Sequence, residues 1–351
     1  AGRFHDFAQS WLAAGYEVVV LTGLPHFPGG VIHEGYRGRV YLREDRDGIE
    51  VHRCWTLTSR HRFAGRALAY ATFLFSAIVF LLVGRVRYDC VVATSPPPTV
   101  GIAGVVAAWR RRVPWILDIR DIWPEAIVQS QRLRNPLLIR AFEGTARWLY
   151  RVSSHVTTVT DGWRSRLIEI GVPASKVSVL PNGVDVAAFE RESQGELPEA
   201  FAVLDAKAAW FTYAGILNAP QGLEVILEAA ARMREVAPDL YARSHFVLVG
   251  EGPTEAQLRG LAGELGVDRA VFVPRQPRAA VFALLRRSFA VIVPLRPRKD
   301  TSTVPSKLYE SLASGRPVLY SAGGEGADTL RTAGGGQVCT PGDAGALCDA
   351  M

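Results

Sequence analysis

The chain is poor in lysine, in cysteine and in paired metal-ligand spacings. Its 40 basic residues are almost all arginine, with lysine only at Lys176, Lys207, Lys299 and Lys307. Cys54, Cys90, Cys339 and Cys348 form no C-x-x-C and have no paired histidines nearby, which argues against a zinc site or a disulfide framework and fits a reducing compartment. The seven histidines make no H-E-x-x-H, and no nucleophile elbow accompanies a Ser-His-Asp order, so hydrolysis by either device has no support. Internal repeats, low-complexity tracts and an N-terminal leader pattern are also missing; the first dozen residues read as an amphipathic helix already under way. Asp45 and Asp47 satisfy a D-x-D pattern that can hold a divalent cation. Gly48 follows and strand-like runs flank it, so a hairpin turn is expected there and no metal or cofactor.

What is present is globular. With 48% hydrophobic and 21% charged residues, 351 residues are enough for two domains. The net charge of +6 calls for an acidic partner: nucleic acid, an anionic membrane surface or a phosphorylated substrate. Strand-like runs at 17–22, 90–94, 114–118 and 156–160 alternate with helical patterns at 3–14, 66–83, 98–110, 136–152 and 162–170. A second series has strands at 209–214, 245–249, 270–273, 290–293 and 317–320 and helices at 222–236, 254–265, 278–286 and 305–314. Such alternation predicts two doubly wound α/β units, 1–185 and 186–351, with ligand sites at the carboxyl ends of their strands, facing a shared cleft. Polar residues 190–206 are the candidate hinge. Residues 67–83 carry no charge and lie between Arg66 and Arg85; at the short limit for a bilayer, they predict a buried or membrane-facing helix, with a membrane span as the alternative.

Residues 303–318 are the most informative segment. Pro305 suits a first helical turn, Ser306 and Lys307 sit beside the open amides there, and Gly315 and Pro317 supply the stop. Glu310 lies one turn beyond Lys307 on the same face, so a phosphate at Lys307 brings an attached sugar within the carboxylate's reach; a surface helix with a Lys-Glu pair is the plainer alternative. Gly215 to Gly222 forms a loop after a strand and before a helix, able to cradle phosphate on backbone amides or to serve as a simple βα turn. Gly250 and Gly252 make a G-x-G at the next strand end, and Arg275 follows the one after. Asp118 and Asp121 bracket Arg120 ahead of Trp123-Pro124-Glu125, a loop at a strand's carboxyl edge or a surface Asp-Arg ion pair.

These stretches, together with residues 179–185, resemble in order and over nearly the whole chain the family 4 glycosyltransferases of GT-B architecture. Arg120-Asp121-x-Trp123-Pro124-Glu125 and Gln221-Gly222-Leu223 are most similar to the branch containing fucosaminyltransferases of bacterial surface-polysaccharide assembly. The resemblance implies a retaining, metal-independent enzyme. It would move a sugar from a nucleotide-diphosphate donor, of UDP type and with an N-acetylated amino sugar among the candidates, to a glycan or polyprenyl-linked acceptor in lipopolysaccharide, O-antigen or capsule assembly. Glu310 would bind ribose, Lys307 and Ser306 the diphosphate, and Asp121 with Arg120 the acceptor side; Asp121, Arg120 and Lys307 are the catalytic candidates. Gly215, Gln221, Gly222, Gly250, Gly252, Arg275, Arg296 and Lys299 complete the donor-binding set.

Relatives place Arg and Lys in the loop where Asn218 and Gln221 stand, leaving Arg296, Arg298, Lys299 and Lys307 to supply charge. The first acid of the family's E-x7-E is replaced by Ser302. Relatives also have a strand and a Gly-rich loop before the first helix, and helices beyond Met351, so truncation at both ends is expected. The cytoplasmic membrane's inner face is the expected location, with no nucleic acid partner. A nonhydrolysing nucleotide-sugar epimerase and a noncatalytic nucleotide-sugar or membrane-binding module are the rival readings.

Overall fold

The computed structural model describes residues 2–26, 30–58, 64–123, 125, 135–297 and 302–351, and the chain divides into two compact units, Ala1–Pro181 and Asn182–Met351. The first unit runs α1 (Gly2–Ala13), β1 (Val19–Gly23), β2 (Tyr41–Arg46), β3 (Ile49–Cys54), α2 (Ala64–Val83), β4 (Val91–Ser95) and α3 (Pro98–Arg111). It continues with β5 (Trp115–Ile119), α4 (Pro136–Val152), β6 (His155–Thr158), α5 (Asp161–Glu169) and β7 (Val177–Val179). Strands β4-β5-β6-β7 form a parallel sheet in sequence order, and a separate three-stranded sheet has the order β1-β3-β2.

Local chemistry explains these elements. Pro98 opens α3, and Arg112 closes it in the left-handed conformation at φ 56°. Gly101 and Gly104 let α3 lie close to its neighbours: a Cβ on Gly104 would stand 2.7 Å from the Ala93 Cβ of β4, and one on Gly101 2.9 Å from Leu149 of α4. Asn135 caps α4 by accepting from Leu137 N at 2.9 Å and Leu138 N at 3.3 Å. Asp47 and Gly48 turn from β2 into β3 with φ 56° and 80°, and the Asp45 carboxylate accepts from Gly48 N at 3.1 Å. The D-x-D stretch therefore builds the expected hairpin.

The apolar segment 67–83 is a helix of the first unit. Ala77 of α2 is fully buried, Phe80 packs on Tyr41 and His52, and Ser76 donates to Trp55 O at 2.7 Å. No described helix is long and apolar enough to cross a membrane, and these contacts fit the buried-helix expectation.

The second unit runs α6 (Val186–Glu192), β8 (Ala209–Ala214), α7 (Glu224–Val236), α8 (Pro238–Ala242), β9 (Ser244–Val249), α9 (Glu255–Glu264) and β10 (Ala270–Val273). Then follow α10 (Arg278–Arg287), β11 (Ala290–Pro294), α11 (Ser306–Ala313), β12 (Val318–Ser321), α12 (Glu325–Ala333), β13 (Gly336–Cys339) and α13 (Ala344–Ala350). All six strands are parallel in the order β10-β9-β8-β11-β12-β13. Alternate residues of β8 and β9 enter opposite cores. Phe211, Tyr213, Phe246 and Leu248 pack with Ile226, Leu227 and Met233 of α7, whereas Trp210, Val247 and Val249 pack with Leu284 of α10. Each unit is thus Rossmann-like, as the alternating pattern predicts. The candidate hinge is corrected: α6 and a 3₁₀ turn at Glu199–Phe201 occupy that stretch, and Phe189 and Phe201 are buried in cores of the second unit.

Candidate functional site

The sheet of the second unit winds outward in both directions from β8 and β11, so its topological switch point lies at their carboxyl ends. The chain leaves β8 through Gly215 and β9 through Gly250, with φ 153° and 144°. These loops lie backbone on backbone: Leu217 N donates to Glu251 O at 3.0 Å and Thr254 N to Leu217 O at 3.2 Å. A Cβ on Gly250 would overlap the Gly215 carbonyl, and one on Gly252 the Leu217 carbonyl. The G-x-G glycines are therefore required by loop-on-loop contact. Beyond Gly215 the loop closes with a 3₁₀ turn at Ala219–Gln221, and Gly222, at φ 61°, sets the start of α7 two residues later than the sequence pattern implies. A Cβ on Gly222 would stand 3.0 Å from Arg296 N, which donates to Pro220 O at 3.1 Å and so ties this loop to the one after β11.

Lys307 reaches into this switch point from α11. Its Nζ donates to the Tyr213 hydroxyl at 2.7 Å and to Gln221 Oε1 at 2.6 Å, and lies 4.2 Å from the centre of the Tyr213 ring. Part of the residue's surface stays open to solvent while the ammonium end is enclosed. Burial pushes Lys307 down from 10.5 to about 7, against the opposing pull of the Glu310 carboxylate. Burial also raises the Tyr213 phenol, which therefore stays a neutral partner at physiological pH. Helix α11 begins at Ser306; Pro305 is its N-cap rather than a first-turn residue, and no side chain caps the amides. Exposed Ser306 and half-buried Glu310 flank Lys307 on the same short helix. Lys307 and Gln221, both among the expected donor-side residues, lie together here, whereas Tyr213 is not among the expected residues. A tyrosine near the end of a strand buried on both faces was the available signal, because a buried phenol needs a polar partner.

Of the other expected cations, the two that are described, Arg296 and Arg275, do not join Lys307. Arg296 pairs with Glu224 at 2.6 Å and Arg275 is exposed beyond β10, while Arg298 and Lys299 lie outside the described residues. In the first unit, Arg120 and Asp121 follow β5, and Arg120 N donates to Ser95 O at 3.0 Å. Of the plainer Asp-Arg alternative, no Asp118-Arg120 ion pair forms. Asp118 is buried and accepts instead from Arg3 at 3.1 Å and from the Thr157 hydroxyl at 2.8 Å. The remaining Asp118 oxygen and Arg120 Nε are buried without hydrogen-bond partners among the described residues. Glu125 accepts from Arg166 Nε at 3.1 Å and from its terminal nitrogen at 2.7 Å, a pairing that fastens the loop to α5.

Comparison with known proteins agrees with the two-unit fold. Residues 1–183 match the glycosyl transferase 4-like domain, and residues 208–351 match the glycosyl transferases group 1. The chain is 26% identical over 336 residues to WcaI of Escherichia coli (strain K12), assigned as a glycosyl transferase of colanic acid biosynthesis, with 92% of this chain and 79% of WcaI covered. Among solved structures it resembles Anabaena HepE in complex with UDP and glucose, with a TM-score of 0.63 and 18% identity over 95% of this chain and 88% of HepE. Sucrose-phosphate synthase from Thermosynechococcus elongatus superposes with a TM-score of 0.70 and 18% identity, covering 98% of this chain and 81% of that one. These two likenesses show a shared fold. Since the glycosyl transferase 4-like match takes in 183 of 351 residues and both Rossmann-like units are present, the chain belongs to that family and is a glycosyltransferase of the GT-B class.

Proposed function

We propose that this glycosyltransferase moves a sugar, with retention and without a metal, from a UDP-type donor to a glycan or polyprenyl-linked acceptor in surface-polysaccharide assembly. The observation that carries this reading is the Lys307 Nζ held beside the uncapped amino end of α11, at the sheet's switch point. HepE holds UDP and glucose on the same fold, and WcaI is assigned to colanic acid biosynthesis, which support a nucleotide sugar and a polysaccharide product. The likeness to fucosaminyltransferases favours an N-acetylated amino sugar. Lys307 and the α11 amides would stabilise charge building on the departing diphosphate, which would itself accept the acceptor's proton in same-face attack. Glu310 would hold the ribose; Arg120 and Asp121 would orient the acceptor.

An anionic membrane surface would present that acceptor. Leu68, Phe75, Val79, Leu82 and Val83 remain exposed along α2, and Trp109 is 73% exposed at the end of α3. Arg111 of α3 donates to Val86 O at 2.7 Å, so the basic ends of the two helices lie together. Each charge near such a surface contributes on the order of 1 kcal/mol.

A donor screen with UDP-sugars and a lipid-linked acceptor tests the enzyme reading. Glycosylated acceptor and free UDP are expected, both lost in Lys307→Ala. Release of an epimerised nucleotide sugar without acceptor, or binding with no turnover of any donor, would overturn it. In binding titrations Lys307→Ala should weaken UDP by about 1.5–3 kcal/mol and leave uridine unchanged.

A further inference from the structure

Two of the groups around the Lys307 Nζ are neutral hydrogen-bond acceptors of this chain. Tyr213 is fully buried, and its hydroxyl donates to Ile216 O at 2.9 Å while accepting from Lys307 at 2.7 Å. Gln221 Oε1 takes a second N–H at 2.6 Å, and the Tyr213 ring closes the side facing β8. Gly215 leaves the space: a Cβ there would stand 2.8 Å from Nζ and 2.9 Å from the Tyr213 hydroxyl. A neutral amine has two N–H groups, and the described residues supply two acceptors. Protonation adds a third donor, for which they supply none. The carboxylate acting on Nζ is Glu310, one turn along α11; β8 contributes Tyr213 and the loop contributes Gln221, neither of them charged.

Resting on the reading that Lys307 meets the donor's diphosphate, we propose that Tyr213 and Gln221 are positioning residues that park this lysine as an amine, and that a nucleoside diphosphate draws a proton from solvent onto Nζ as it binds. The proton comes from buffer, Nζ passes from amine to ammonium, and the third N–H points to a phosphate oxygen. The lowered lysine and the match of two acceptors to two N–H groups are independent supports, one electrostatic and one geometric. Gln221 matters because it is uncharged: a cation there would repel the lysine, and a carboxylate would hold it protonated at rest.

Calorimetric titration of the whole chain with UDP at pH 8, in buffers of different ionisation enthalpy, reads the proton directly. At that pH the terminal phosphate, with its second pKa near 6, is already ionised and contributes little. Uptake of about nine-tenths of a proton per UDP is expected for a lysine that titrates near 7 and is fully protonated in the complex. Lys307→Arg, charged throughout, should bring the uptake close to zero, as should Gln221→Glu, whose carboxylate protonates the lysine beforehand. Tyr213→Phe removes one acceptor without emptying the core; UDP affinity should fall about tenfold with uridine unaffected, and kcat should fall with little change in acceptor KM. Diphosphate-dependent binding with no proton uptake in the native chain, or uptake unchanged in Gln221→Glu, overturns this inference alone. Equal affinity for UDP and uridine, or no UDP binding, overturns the reading of Lys307 beneath it.

Discussion

Arg3 and Asp118 form an ion pair of 3.1 Å in which the aspartate side chain is 2% exposed and the arginine 9%, and the same guanidinium donates to Leu180 O at 2.7 Å and Pro181 O at 2.8 Å. A side chain near the start of α1 thereby fastens the ends of β5 and β7. Removing one partner of a buried pair strands the other charge, so Arg3→Ala should cost about 3–5 kcal/mol of stability in denaturant titration. The double variant Arg3→Ala with Asp118→Asn should cost less than the single one. A single-variant loss below about 1 kcal/mol would mean that the pair is not buried in solution.

Lys307 also makes a prediction for the unliganded protein. In the unfolded chain this lysine stays protonated up to about 10.5, whereas the folded form releases its proton near 7. Between those values the unfolded state binds more protons, so stability from this group rises with pH, by up to about 1.4 kcal/mol per unit. Lys307→Met should flatten the difference between pH 7 and pH 8.5. Cys54, raised by burial to about 11, acts in the opposite sense as its thiol begins to ionise in the unfolded chain near pH 8.5, but it does so equally in both proteins and cancels from the comparison. Parallel stability curves for both proteins would contradict the lowered lysine.

Glu310→Gln should keep the fold, since the residue is half-buried on a short helix, and should weaken ribonucleotides more than their deoxyribose counterparts. Competition binding with UDP and dUDP measures this within one protein. The same loss for both would remove Glu310 from ribose recognition.

The exposed side of α2 should bring the protein down with anionic liposomes at 0.1 M salt and release it at 1 M, where the screening length falls from about 10 Å to about 3 Å. Phe75→Asp, at a position 67% exposed, should reduce sedimentation without lowering stability. Binding to neutral and anionic liposomes alike, or to neither, would count against an electrostatic attachment.

Much of this architecture can be read from residues alone, because central strands such as Phe246 to Val249 are unbroken apolar runs and the helices between them carry clear boundary residues. Strand β13 escapes such reading: it begins at Gly336, where a Cβ would overlap the Val318 backbone of β12, so the close approach that builds the strand also demands the residue least typical of one. Strand β7, of only three residues, and α13, of seven, are too short for periodicity to register. At the candidate site Lys307 is legible from its place at a helix start. The pairing of Arg3 with Asp118 is not, since the two are 115 residues apart and only the folded sheet brings them together.

The interlocked turns after β8 and β9 also limit how this site can change over generations. With a carbonyl from one turn filling the place of a side chain at Gly250 and Gly252, neither glycine can be replaced unless the facing turn withdraws, and the two must therefore be inherited as a single unit. New specificity is left to positions whose side chains already stand outside the interlock, such as Ile216, half exposed, and Glu251, exposed at the rim. Directed libraries confined to those positions should retain folded members, whereas libraries that include the glycines should be depleted of them.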